Sequence, residues 1–187
     1  MRSGEKSNIL QYTPRLGGLG GTNYHSDQVE GGAVNAYEGI DINNPDICSH
    51  EETLRKLVET LHNECVLLVR SPPMAGKTSL AQLLEKHLLQ DNTIRVFHIS
   101  LLWLRRVGEP WVFEVQFKKL MNGTSWAQFV EECKFIKTFL IVDEVQVLYS
   151  NGLGEPSHYG GDAFWNVFKD CQQYANLCIV AFAVYGY

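Results

Sequence analysis

The sequence predicts an α/β fold, three layers built around a mostly parallel sheet, and three observations carry that prediction. Four short apolar runs, Val66–Val69, Ile94–Ser100, Phe139–Val142 and Leu177–Val184, alternate with stretches whose apolar residues recur at helical spacing. The last run is apolar on both faces, as a central parallel strand should be. The order β-α-β-α-β-α-β then implies right-handed crossovers, with helices covering both faces of the sheet. At 187 residues there is room for one medium domain, not comfortably for two.

The elements follow in order. Residues 1–45 hold Gly17-Gly18-Leu19-Gly20-Gly21, Gly31-Gly32 and scattered Ser, Asn and Asp, and read as a flexible Gly-rich tail. Gly17–Gly21 lacks the strand before it and the helix after it that a phosphate loop needs. The ordered core is expected over 46–187. Ser49 with Glu52 reads as a capping box, opening a helix with Leu54, Leu57, Val58 and Leu61 on one face. After the first strand, Leu80, Leu83, Leu84 and Leu88 make a second apolar stripe. Trp111–Met121 reads as a helix ended by Gly123, and Ser125 with Gln128 as a capping box for a short helix to about Cys133. Ser150–Gly161 is a polar, Gly-rich loop. Asp162 caps a last helix with Phe164, Val167, Phe168, Cys171 and Tyr174 inward.

Composition narrows the function classes. Apolar content of 45% and charged content of 20% are those of a globular protein in water. A net charge of −5 gives no field that draws the chain to nucleic acid, and Arg105-Arg106 and Lys118-Lys119 read as solvated helix faces. Nucleic acid is therefore not an expected partner of this chain alone. Cys48, Cys65, Cys133, Cys171 and Cys178 are an odd number without tight pairs, the pattern of reduced thiols in an intracellular compartment, cytoplasm or nucleus. The histidines show no zinc-site spacing, the N-terminus no apolar leader, and the run Leu177–Tyr185 is too short to span a bilayer.

The chemistry concentrates between Val66 and Leu80. Ser71-Pro72-Pro73-Met74-Ala75-Gly76-Lys77-Thr78 stands between an apolar strand and a helix, and is nearly G-x-x-x-x-G-K-[ST], with Ser71 where the first Gly normally stands. Such a P-loop binds phosphate through successive backbone N–H groups and a helix N-terminus. Ser71, Pro72, Pro73, Met74, Ala75, Gly76, Lys77, Thr78 and Ser79 are the candidate nucleotide-binding residues. Lys77 adds a mobile positive charge, and the Thr78 hydroxyl is suited to Mg²⁺.

The second half of the site is Phe139-Leu140-Ile141-Val142-Asp143-Glu144. An apolar strand ending in Asp puts that carboxylate at the sheet's C-terminal edge, where α/β ligands bind. Asp143 can there hold Mg²⁺ opposite Thr78, a Walker B arrangement, and Glu144 can polarise an attacking water as general base. ATP is favoured over GTP because N-K-x-D is absent and Asp143 does not open a D-x-x-G.

A whole strand–helix unit between the two motifs resembles the ASCE branch of P-loop NTPases. The blocks VRSPPMAGKTSLAQLLE, FLIVDEVQVLY, FWNVFKD and IVAFAVYGY are similar to the AAA/ASCE-type NTPase region of fungal Crinkler-like proteins, over roughly Glu51 to the end. That resemblance implies Lys77 on the β/γ-phosphates, the Met74–Thr78 backbone wrapped around them, Arg70 at the rim and adenine contacts around Ile47–Glu51. It also implies strand order 5-1-4-3-2, a polar sensor after the last strand, a helical lid and a sensor arginine. The sequence departs there: only Tyr185 and Tyr187 stand in the sensor region, and a fifth strand and lid are not seen. The core is thus expected to lack its last strand and lid, leaving Val66–Val69 at an open edge for a second copy or protein partner to complete. Hydrolysis of ATP is expected on full assembly. A non-hydrolysing nucleotide switch, regulating an effector-type protein, is the alternative. Secretion by a non-standard route stays open.

Overall fold

The computed structural model of the chain describes residues 39–41, 44–101, 112–149, 161–170 and 176–185. Gly17–Gly21, Gly31-Gly32, Arg105-Arg106, Trp111, the body of the Ser150–Gly161 loop, Cys171, Tyr174 and Tyr187 lie outside the described residues.

The described elements are α1 (Glu51–Glu64), β1 (Val66–Ser71), α2 (Lys77–Leu88), β2 (Arg95–Ser100), α3 (Phe113–Leu120), α4 (Trp126–Glu132), β3 (Thr138–Asp143), a 3-10 turn (Val145–Leu148), α5 (Asp162–Asp170) and β4 (Leu177–Val184). The strands form one sheet in the order β1-β4-β3-β2, and every pairing is parallel. The fold is α/β, as the sequence predicts. β4 lies between β1 and β3, so the strand that follows both motifs in sequence separates them in space.

Alternation along the two central strands builds the two cores. Phe139 and Ile141 of β3 and Cys178, Val180 and Phe182 of β4 pack with Leu54, Leu57 and Leu61 of α1 and Ala81, Leu84 and Leu88 of α2. Leu140, Val142, Ile179, Ala181 and Ala183 face the other way, against Phe113, Phe117, Trp126, Phe129 and Phe164 of α3, α4 and α5. Burial in these layers pushes the Cys133 and Cys178 thiols above the ordinary thiol range, through loss of water around the thiolate.

The second core holds the buried aromatics Phe97, Phe113, Phe117, Trp126, Phe129 and Phe164. The Phe117 ring meets Trp126, Phe129 and Phe113 at centroid distances of 4.9, 5.3 and 5.7 Å, and Phe117 is 1% exposed. The contacts with Trp126 and Phe129 are edge-to-face, and such pairs add to simple area burial. Phe117→Ala is expected to cost about 3–5 kcal/mol, read as a lower urea midpoint at unchanged slope.

Several local readings are corrected. The Ser49–Glu52 capping box does not form: His50, with φ 48°, is the N-cap of α1 and contributes no side-chain cap. Glu52 instead accepts from Lys56 Nζ at 2.7 Å. Asp162 is not ahead of α5 but inside its first turn, where the Gly161 carbonyl accepts from Trp165 N at 2.9 Å. Val66–Val69, expected at an open edge, is only partly buried. β1 runs on through Ser71, pairs with β4 alone, and leaves Leu68 37% exposed, so among the described residues it is an edge. The Ser125–Gln128 capping box is present in both directions. Gly123, with φ 98°, closes α3 by donating its N–H to the Lys118 carbonyl at 2.8 Å. Packing also reaches back to Ile40, whose N–H donates to Gln82 Oε1 of α2 at 2.9 Å.

Candidate functional site

All four strands run the same way, so their C-terminal ends share one edge, and both motifs are delivered there. β1 ends at Ser71, in register with Val184 of β4, and the Ser71 carbonyl accepts from Tyr185 N at 3.1 Å. Ser71 is thus the last strand residue rather than part of the open loop. Its Oγ is buried with no hydrogen-bond partner.

The loop proper is Pro72–Gly76, all of it exposed, with Met74 at its tip. Met74 (φ 56°) and Gly76 (φ 79°) are both left-handed, which turns the chain sharply into α2. Gly76 is the residue type that adopts this conformation without strain. Pro72 and Pro73 have no N–H. They can shape the loop but cannot donate to an anion, so the backbone donors available are those from Met74 onward. Gly76 is the N-cap of α2 and no side chain caps it. The first N–H groups of a helix lack intrahelical partners, and here those of Lys77, Thr78 and Ser79 open toward the loop.

Lys77 is buried at 7% exposure and curls back to donate from Nζ to the Pro72 carbonyl at 3.0 Å. The ammonium therefore sits inside the loop's own curve. Thr78 donates from Oγ1 to Asp143 Oδ2 at 2.7 Å, joining α2 to the end of β3 across 65 residues of sequence. Asp143 is 1% exposed, and its Oδ1 accepts from the Glu144 N–H at 2.9 Å. Both oxygens of a buried carboxylate are thereby hydrogen-bonded. Ser100, at the end of β2, is in register with Asp143.

Glu144 leaves the strand in a left-handed conformation (φ 59°), which swings its side chain off the sheet and starts the 3-10 turn. Its Oε2 accepts from Gln146 Nε2, and Gln146 Oε1 accepts from Val184 N at 3.3 Å. Sequence reading passed over Gln146. The signal was a polar residue interrupting Val145, Val147 and Leu148 directly after Asp143-Glu144. The turn is held from outside by Trp165, whose indole donates to the Leu148 carbonyl at 3.0 Å. Burial pushes the Tyr149 hydroxyl above its ordinary range.

The other candidates fall at the rim. The Arg70 guanidinium lies 5.5 Å from the Tyr185 ring centroid, and Tyr185 is 55% exposed. Ile47 packs with the core beneath α1 and α2. Among the described residues, no cluster of three or more His, Cys, Asp or Glu could hold a metal ion, and no helix is long and apolar enough to cross a membrane.

No family model matches the chain. No curated protein matches it. Among solved structures, PCH-2 of C. elegans is similar, at TM-score 0.45 and 17% identity, over 74% of this chain and 37% of that one. This chain thus corresponds to just over a third of the neighbour's length. A likeness at this level leaves the functional reading to the site's own residues.

Proposed function

We propose that the chain, over 46–187, is an ATP-binding core of the P-loop, ASCE/AAA-like type, with Mg²⁺-dependent hydrolysis on full assembly. One observation carries the reading: the Thr78 hydroxyl and the buried Asp143 carboxylate meet at 2.7 Å, beside a loop whose curve encloses Lys77. Two motifs read separately in sequence converge on one point of the sheet edge. The kinship with Crinkler-like proteins rests on the wording of four sequence blocks alone, and the reading does not depend on it.

The residues divide the work as follows. The N–H groups from Met74 to Ser79 bind phosphate oxygens, with the positive end of α2 behind them. Lys77 exchanges its contact with the Pro72 carbonyl for phosphate. Thr78 and Asp143 fit a hard divalent cation: both donors are oxygen, and Mg²⁺ binds through one or two protein oxygens plus substrate phosphate and water rather than a protein cage. When bound, Mg²⁺ neutralises charge on the terminal phosphates. Glu144 takes the proton of the attacking water. ADP and phosphate are the products.

The test is titration of a fluorescent ATP analogue with and without Mg²⁺, comparing wild type with Asp143→Asn. Saturable, Mg²⁺-dependent binding is expected for the wild type, and the variant should lose about 10–100-fold of the Mg²⁺-dependent affinity. Asn keeps the side chain's shape but offers one acceptor oxygen where Asp143 uses two, so the fold should persist with a loss of about 1–3 kcal/mol, read by thermal unfolding beside the titration. Wild-type protein that does not saturate would overturn the reading.

A second reading, a non-hydrolysing switch whose nucleotide state is read by a partner, is favoured by Ser71 replacing the loop's first glycine, with its Oγ buried and unbonded. The exposed edge of β1 is the surface a partner or second copy would complete. Measurable turnover that Glu144→Gln abolishes would eliminate it.

A further inference from the structure

We infer that Gln146 is a positioning residue, holding the Glu144 carboxylate against the end of β4 and carrying the state of the terminal-phosphate site to the β4–β1 pairing. The inference rests on the nucleotide reading above and adds to it a residue that neither motif contains.

The side chains that close β4 are apolar: Ala181, Phe182, Ala183 and Val184. Yet this strand lies between the loop-bearing β1 and the acid-bearing β3, so its end is beside the site. The 3-10 turn after Glu144 brings a polar group to that place. Gln146 donates from Nε2 to Glu144 Oε2 and accepts at Oε1 from Val184 N at 3.3 Å. One residue further, Tyr185 N donates to the Ser71 carbonyl at 3.1 Å, at the root of the loop. Three hydrogen bonds, the last two joined through the Val184–Tyr185 peptide, therefore lead from Glu144 at the end of β3, across the end of β4, to the last residue of β1.

Two physical points separate this from ordinary packing. Gln146 is half-buried between the fully buried Val145 and the half-buried Val147, and its amide hydrogen-bonds to Glu144 and the end of β4 rather than to the core. An amide has two N–H groups, and holding Glu144 uses one, leaving a second directed by the same anchor. A flexible carboxylate tethered in this way meets a water in one orientation, which is the part of general-base catalysis that depends on geometry.

The experiment uses the full chain and Gln146→Met, which keeps the side-chain volume and removes both hydrogen bonds. Expected is a fall in kcat of about 10–100-fold, the usual size for a partner that orients a functional group, with KM for Mg-ATP nearly unchanged. Glu144→Gln with Gln146→Met should be no slower than Glu144→Gln alone. Independently of turnover, amide hydrogen exchange on the wild type should show Val184 protected differently by Mg²⁺ with a non-hydrolysable ATP analogue than by Mg-ADP. Protection of the Met74–Thr78 amides by both nucleotides, with no difference at Val184, would overturn the inference and leave nucleotide binding standing. Unchanged kcat in Gln146→Met would also overturn it. No protection of the loop amides by either nucleotide would overturn the nucleotide reading, and this inference with it.

Discussion

Glu144→Gln is expected to lower ATP turnover about 10²–10⁴-fold while Mg-ATP binding persists. The side chain keeps its length and planarity, and loses the ability to take a proton from water. Binding should survive because the phosphate-facing groups are elsewhere: the loop amides, Lys77 inside the loop, and the Thr78–Asp143 pair at 2.7 Å. Glu144 is carried by a left-handed turn after β3, and its backbone N–H caps Asp143 at 2.9 Å, a bond that Gln retains. The check pairs phosphate release with the nucleotide titration on one preparation. Loss of both together would mean that the substitution disturbed Asp143, and full turnover would remove Glu144 from the mechanism.

Lys77→Ala should act on the other parameter. At 7% exposure the ammonium is sheltered, and in the free protein one loop carbonyl, that of Pro72 at 3.0 Å, accepts from it. Phosphate offers that group charged acceptors. Hydrogen bonds to charged groups contribute about 1.5–3 kcal/mol each, so losing two of them weakens nucleotide binding by about 10²–10⁴-fold. The fold should tolerate the change, since Lys77 opens α2 at an exposed loop and Ala is a good helix former. Titration of the fluorescent analogue against circular dichroism separates the two effects. Wild-type-like affinity in a folded variant would show that the loop does not use its lysine for phosphate.

The division between what was legible in the sequence and what was not follows interaction range. Apolar runs gave four strands and the helical stripes of α1 and α2, because burial on both faces needs continuous apolar residues and burial on one needs a period. The Ser125–Gln128 cap was legible because its two hydrogen bonds close within one turn. Ser49–Glu52 carries the same signature and fails, because His50 takes a left-handed conformation that puts the helix start one residue later. That β1 is an edge of the described sheet is not legible in its own apolar run; it was expected only from the strand order that the resemblance implies, because an edge is defined by a strand's neighbours.

Within the candidate site, the chain's own order determined the residue types: a phosphate-type loop with Lys77 and Thr78, and an acid pair, Asp143-Glu144, at the end of a strand. Only the tertiary structure decided that these belong together. The parallel sheet places β4 between β1 and β3 and brings residues 65 apart in sequence to 2.7 Å. It also decided Gln146, whose chemistry is invisible until Val184 N and Glu144 are on either side of it. Periodicity and caps are settled by neighbours a turn away, whereas a hydrogen bond across a sheet edge is set by where parallel crossovers return the chain.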